Sequence, residues 1–176
     1  RAGALDTLQY LFKVGCNLDR EAAFAAAQAG NLKILKWLND NGCPLESNAY
    51  IAAVQSGNLD ILVYVHEQVN DWNINTVSVA ADAGHVEMVK YAYGRGCEWD
   101  LDETVSERAA TQGHLELLKY ARQHNCPWNA DVTLNAAANG HFNVVQWAHE
   151  NGCPWHPDTC GYAKTDEIAE WADEHG

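Results

Sequence analysis

Apolar and polar positions recur along this chain with one period. Glycine stands at Gly3, Gly30, Gly57, Gly84, Gly113 and Gly140, spaced 27, 27, 27, 29 and 27 residues apart. Other columns keep register with it. Alanine is invariant at Ala26, Ala53, Ala80, Ala109 and Ala136, and rings recur at Tyr10, Trp37, Tyr64, Tyr91, Tyr120, Trp147 and Trp171. Large apolar residues recur at Leu18, Leu45, Trp72, Trp99, Trp128 and Trp155. Cysteine recurs at Cys16, Cys43, Cys97, Cys126 and Cys153, with Asn70 in the one remaining place. A fixed period of this length means stacked supersecondary units.

Each unit predicts two helices. After the glycine comes Asn31, Asn58, His85, His114 or His141, then a stretch such as Leu115 to Ala121. There 115, 118 and 121, with 117 and 120 beside them, form one apolar stripe, while Glu116, Lys119 and Gln123 face water. Asparagine caps such a helix with its side-chain oxygen, whereas histidine does so less well. The helix is expected to stop at Asn-Gly-Cys-Pro, as at 41–44 and 151–154, where glycine supplies the left-handed turn and proline blocks continuation. The second helix is short and alanine-rich: 48–55, 76–82 and 131–138. Its alanine column predicts a close helix–helix approach, and so short a helix depends on stacking. The fold class expected is all-α, an α-solenoid of helix-turn-helix repeats.

The stretch Ala136-Ala137-Ala138-Asn139-Gly140-His141-Phe142-Asn143-Val144-Val145 resembles the ankyrin-repeat core, and Ala109 to Leu118 does so equally. The unit departs from ankyrin repeats in length, 27 residues against about 33. The Thr-Pro-Leu-His stretch is replaced by Asp131-Val132-Thr133-Leu134 and its counterparts. The Gly-Cys-Pro-Trp connector is similar to the short ankyrin-like repeats common in large DNA viruses and protists. The resemblance implies ankyrin-like repeats with shortened or absent β-hairpin fingers, and a concave inner-helix face that binds protein. One repeat domain over 1–176 is expected: a partial repeat at 1–16, repeats at 17–43, 44–70, 71–97, 98–126 and 127–153, and a shortened cap at 154–176. The opening helix lacks an inner partner and leaves Leu5 and Leu8 underprotected, so further repeats or another domain are expected before residue 1.

Charge narrows the partners. With 11 Lys and Arg against 24 Asp and Glu, the net charge is −13, which opposes binding to nucleic acid or to an anionic membrane. No apolar run approaches the length of a membrane span. Cysteines in one column lie about 8–10 Å apart, too far for disulfides, so a reducing compartment is expected, the cytoplasm or nucleus. There is no P-loop, G-x-S-x-G, H-E-x-x-H or C-x-x-C, so neither catalysis nor a cofactor is expected. One cluster, His149, Cys153, His156 and Cys160, has spacing that zinc could use, although the cysteine column already accounts for Cys153. The tryptophans are read as packing in the space the hairpins vacate.

Function then falls to the positions that vary between units. On the short helix these lie two residues either side of the alanine: Phe24 and Gln28, Ile51 and Gln55, Ser78 and Asp82, Glu107 and Thr111, and Leu134. The template breaks in the middle, where a two-residue insertion lies within Glu98, Trp99, Asp100, Leu101, Asp102 and Glu103, followed by Glu107 and Arg108. This acidic segment is expected to meet a basic patch on a protein partner, with Trp99 or Leu101 as an apolar anchor. The expectation is a monomeric, non-catalytic interaction scaffold. Its alternatives are a structural spacer without a specific partner or, further off, a zinc-stabilised module.

Overall fold

The computed structural model describes residues 3–73, 75–99 and 104–175, with the side chain of Thr104 left aside. Among them there are twelve helices and no strand, so the fold is the expected all-α stack of helix-turn-helix repeats, without hairpin fingers. Backbone proximity groups the chain into two compact units, one ending at Thr76 and the other beginning at Val77.

The first unit contains α1 (Ala4–Lys13), α2 (Arg20–Gln28), α3 (Leu32–Asp40), α4 (Asn48–Ser56) and α5 (Leu59–Val69). The inner helix α2 packs on α3 and on the next inner helix α4, and α4 packs on α5. The alanine column makes this possible: Ala26 is 7% exposed and Ala53 is fully covered. Leu35, Leu38, Ile61, Leu62 and Val65 of the outer helices close the core from the other side. The caps follow the expected chemistry, for Asn31 Oδ1 accepts from the Ile34 N–H at 3.1 Å and Asn58 Oδ1 from Asp60 at 3.0 Å.

The second unit takes in α6 (Thr76–Asp82) from its second residue on, α7 (Val86–Gly94), α8 (Thr104–Thr111), α9 (Leu115–Gln123), α10 (Asp131–Asn139), α11 (Phe142–Glu150) and α12 (Asp166–His175). Here α8 packs on α9 and α10, and α10 on α11. Ala109 and Ala136 are fully covered, and so are Leu117, Leu118, Val144 and Val145. His85, His114 and His141 make no side-chain cap on the helices they precede. Two of them reach backward instead. His114 Nε2 donates to Asp82 O at 3.3 Å, and His141 Nε2 donates to Thr111 O at 3.0 Å. A carbonyl only accepts, so both imidazoles carry their proton on Nε2. Each ring lies against the glycine of the preceding repeat, Gly84 or Gly113. The last helix buries Ile168 and Ala172 and exposes its acids.

The exit turns repeat one device. Glycine is left-handed at Gly15, Gly42, Gly96 and Gly152, and the following cysteine N–H returns to an outer-helix carbonyl, as Cys153 does to Ala148 O at 2.9 Å. Where glycine is lost, asparagine takes the left-handed conformation: Asn125 stands in the glycine column with φ 59°, while Asn70, in the cysteine column, has φ 48° because α5 runs on through Val69. Asparagine tolerates this region better than other side chains, so the chain still turns after α5, one residue later in the repeat.

Thr76 opens α6 in the column occupied elsewhere by Val105 and Val132. Its hydroxyl is buried and has no hydrogen-bond partner among the described residues. Valine has nearly the same shape and no group to desolvate. Thr76→Val is therefore expected to raise unfolding stability by about 1 kcal/mol, read from the denaturation midpoint.

Candidate functional site

The inner helices carry the variable residues. In the first unit Phe24 and Ile51 are half-buried, while Gln28 Nε2 donates to Gln55 Oε1 at 2.8 Å across α2 and α4. A shallow hollow of about 470 Å³ is lined by Arg20, Glu21, Phe24, Glu46 and Asn48. Arg20 Nη1 stands 3.6 Å from Glu46 Oε2 beside it, an exposed pair that adds little stability but fixes two opposite charges around an apolar ring.

In the second unit the inner-face carboxylates are held by neighbours. Asp82 lies 3.7 Å from Arg108 Nη1 and accepts from Gln112 Nε2 at 3.3 Å. Glu107 accepts from Asn129 Nδ2 at 2.8 Å, and Asp131 lies 3.8 Å from His156 Nε2. The Thr111 hydroxyl donates to Glu107 O at 2.7 Å, and Leu134 is half-buried nearby on α10. Ser78 departs from the expectation. It is 6% exposed, because its short side chain does not emerge between neighbours where Phe24, Ile51, Glu107 and Leu134 do. Asp100, Leu101, Asp102 and Glu103 lie outside the described residues.

Trp72, Trp99, Trp128 and Trp155 lie just past the ends of outer helices, and each meets the residue six positions before it. His66 stacks on Trp72 with centroids 4.3 Å apart, and Tyr93 on Trp99 at 4.4 Å. The Arg122 guanidinium lies 4.1 Å from the Trp128 ring centre, while His149 meets Trp155 edge-on at 5.4 Å. Trp99 is thereby engaged within its own unit: its indole N–H donates to His124 O at 3.1 Å, and Tyr120 packs against its edge. Of the two expected apolar anchors, Trp99 is half-buried against these groups and Leu101 lies outside the described residues.

The zinc reading does not hold together geometrically. Among the described residues no three His, Cys, Asp or Glu side chains form a group able to hold a metal. Cys153 is buried and donates its thiol to Asn129 O at 3.2 Å. His156 accepts the Asp158 N–H on Nδ1 at 3.1 Å and turns Nε2 toward Asp131. His149 is packed among Trp155, Trp171 and His175. Backbone and ring contacts have claimed three of the four side chains separately, leaving Cys160 alone.

No protein-family model matches the chain, and no curated protein does. Among solved structures 115 chains match. One is the crystal structure of the human ASB11 ankyrin repeat domain, at 17% identity and a TM-score of 0.73, with 88% of this chain and 83% of that one covered. The chain has the ankyrin-repeat fold. Within that fold the glycine-to-histidine turn joins repeats, and the repeat is shortened where no strand forms among the described residues.

Two features of this ankyrin-repeat fold escaped the sequence pattern. One is the single side chain six positions before Trp72, Trp99, Trp128 and Trp155 that packs on each indole, which varies in chemistry (His, Tyr, Arg, His). The other is a line of buried hydroxyls: Ser106 donates to Pro127 O at 2.7 Å, Thr133 to Ala130 O at 2.8 Å and Thr159 to His156 O at 2.8 Å. The cysteines form no disulfide. Burial pushes the Cys97 thiol up to about 11 and Cys153 up to about 12. A thiol raised above its unfolded value stabilises the fold below the unfolded pKa, about 8.5, and that contribution is lost as pH rises through the folded value. Alkylation at pH 8.5 is expected to label exposed Cys16 first and spare Cys97 and Cys153 until unfolding, with mass mapping of the labelled peptides as the check.

Proposed function

We propose that this chain is a non-catalytic scaffold that binds a protein through its inner-helix face. What carries the reading is the division of positions within the repeat. The alanine column is covered, and so is the cysteine column apart from Cys16, whereas most positions that vary on the same short helices are half-buried or exposed and differ in chemistry: aromatic at Phe24, aliphatic at Ile51 and Leu134, charged at Asp82, Glu107 and Arg108. A specific protein surface needs such non-repeating groups, with apolar anchors set in a polar rim. The fold's likeness to an ankyrin repeat domain supports it. Among the described residues no helix is long and apolar enough to cross a membrane. The net charge of −13 favours a partner with a basic patch, and the acidic stretch Asp100, Asp102 and Glu103 adds to that preference.

The test compares capture from cell extract by the wild-type chain with capture by three variants: Phe24→Glu, Leu134→Glu, and Glu107→Lys with Arg108→Glu. Loss of a captured protein by at least about 10-fold, with the thermal midpoint unchanged, is expected for a variant that removes an anchor worth about 1–3 kcal/mol. Equal capture by all variants would instead favour a spacer without a specific partner.

A further inference from the structure

The outer-helix face of the second unit carries a feature the inner-face reading does not use. In the repeat containing Trp99 the slot beside the indole is closed. Tyr93 stacks on it, the His124 ring tilts against Tyr93 and Tyr120 with centroids at 5.2 and 4.4 Å, and the indole N–H is satisfied by His124 O. One repeat later every closing group is exchanged. Arg122 stands where Tyr93 stood, Trp147 where Tyr120 stood and Asn151 where His124 stood. The Asn151 side chain turns onto Trp147 O at 2.7 Å, leaving the slot open.

What remains is a hollow of about 370 Å³ lined by Lys119, Arg122, Gln123, Trp128, Trp147 and Asn151. Its chemistry is one-sided. Arg122 donates from Nη1 to Cys126 O at 2.7 Å and makes no ion pair with the described residues. The Trp128 indole N–H has no acceptor among the described residues, unlike its counterpart in Trp99. Lys119 reaches Glu116 at 2.8 Å, but that carboxylate is itself largely exposed and makes a weak partner. In a chain of net charge −13 this hollow brings two cations within one helical turn of each other, beside two indoles packed edge to face at 5.9 Å. With its centre 4.1 Å from the Trp128 ring centre and Nη1 donating to Cys126 O, the Arg122 guanidinium keeps further N–H donors, and such a planar group can take a carboxylate with two hydrogen bonds. The adjoining Trp147 ring offers area for an apolar side chain.

We infer that this hollow binds a short acidic peptide segment of a protein, placing a carboxylate on Arg122 and Lys119 and a neighbouring apolar side chain on Trp147. A nucleic acid strand also combines anionic and flat groups, but the chain's net charge opposes its approach along a whole backbone.

The probe is a capped pentapeptide of glutamate and leucine in alternation, added at about 1 mM and followed by the indole N–H resonances of the intact chain. Trp128 and Trp147 are expected to shift while Trp37 and Trp72 do not. Arg122→Gln should weaken binding at least about 10-fold, and so should 0.5 M salt. Lys119→Glu, at an exposed position, carries the same test should Arg122→Gln disturb the Cys126 turn. The glutamine analogue of the peptide should give no shift. Absence of any shift, equal shifts with the glutamine analogue, indifference to Lys119→Glu, or preference for a short single-stranded DNA would each overturn the inference. Inner-face variants such as Leu134→Glu should leave this signal unchanged, so the two surfaces fail or stand separately.

Discussion

Gly113→Ala should be the most damaging of the turn substitutions, lowering stability by about 2–3 kcal/mol. Two costs combine. Gly113 has φ +75°, where a Cβ costs about 1–2 kcal/mol. That Cβ would also sit 2.5 Å from His141 Nδ1 and 2.8 Å from both Cε1 and Cγ. The clash involves the base of the imidazole as well as its tip, so the ring must leave and its hydrogen bond to Thr111 O goes with it, about 1 kcal/mol more. Gly30 supplies the control. Its φ is +73° but a Cβ there meets nothing within 4 Å, so Gly30→Ala should cost only the conformational part, about 1–2 kcal/mol. Urea unfolding of both variants checks the difference. Equal losses would mean that the histidine contact contributes nothing to joining the repeats.

The second large effect is expected at Tyr50. It is fully buried and the largest such side chain among the described residues, in the column filled elsewhere by Ala23, Val77, Ser106 and Thr133. Its hydroxyl lies 3.2 Å from His66 Nδ1 and its ring 4.7 Å from that of Trp72. Tyr50→Ala should cost about 3–5 kcal/mol by leaving a cavity under the His66–Trp72 stack. Tyr50→Phe should cost about 1 kcal/mol, the hydroxyl alone. Thermal unfolding followed by circular dichroism separates the two. A small loss for the alanine variant would show that α4 and α5 close over the gap.

The helices themselves were legible because their signals are local. Period, apolar stripe, capping asparagine and exit glycine each act within a few residues, and the short helix read at 76–82 is the one observed, while those at 48 and 131 run one residue further. The weak cap at histidine was readable in the same way, from side-chain reach alone. Where the histidine goes instead was not. Its acceptors in Asp82 and Thr111 lie 32 and 30 residues away, and only stacking brings them within reach.

The candidate site divides along the same line. Phe24, Ile51, Glu107 and Leu134 reach the surface as the repeat phase predicts, since phase fixes which way a helical side chain points. Ser78 shares their phase but not their exposure, because exposure depends on how far a side chain extends past its neighbours. Trp99 and Trp128 share a column and look alike as sequence. One is closed by Tyr93 and His124, and the other opens a hollow beside Arg122. The repeat, its helices and the residues offered to each face follow from signals that act within a few positions. Which of those residues pack against the next repeat and which remain open to a partner is set by stacking, because that choice is made between groups about thirty positions apart.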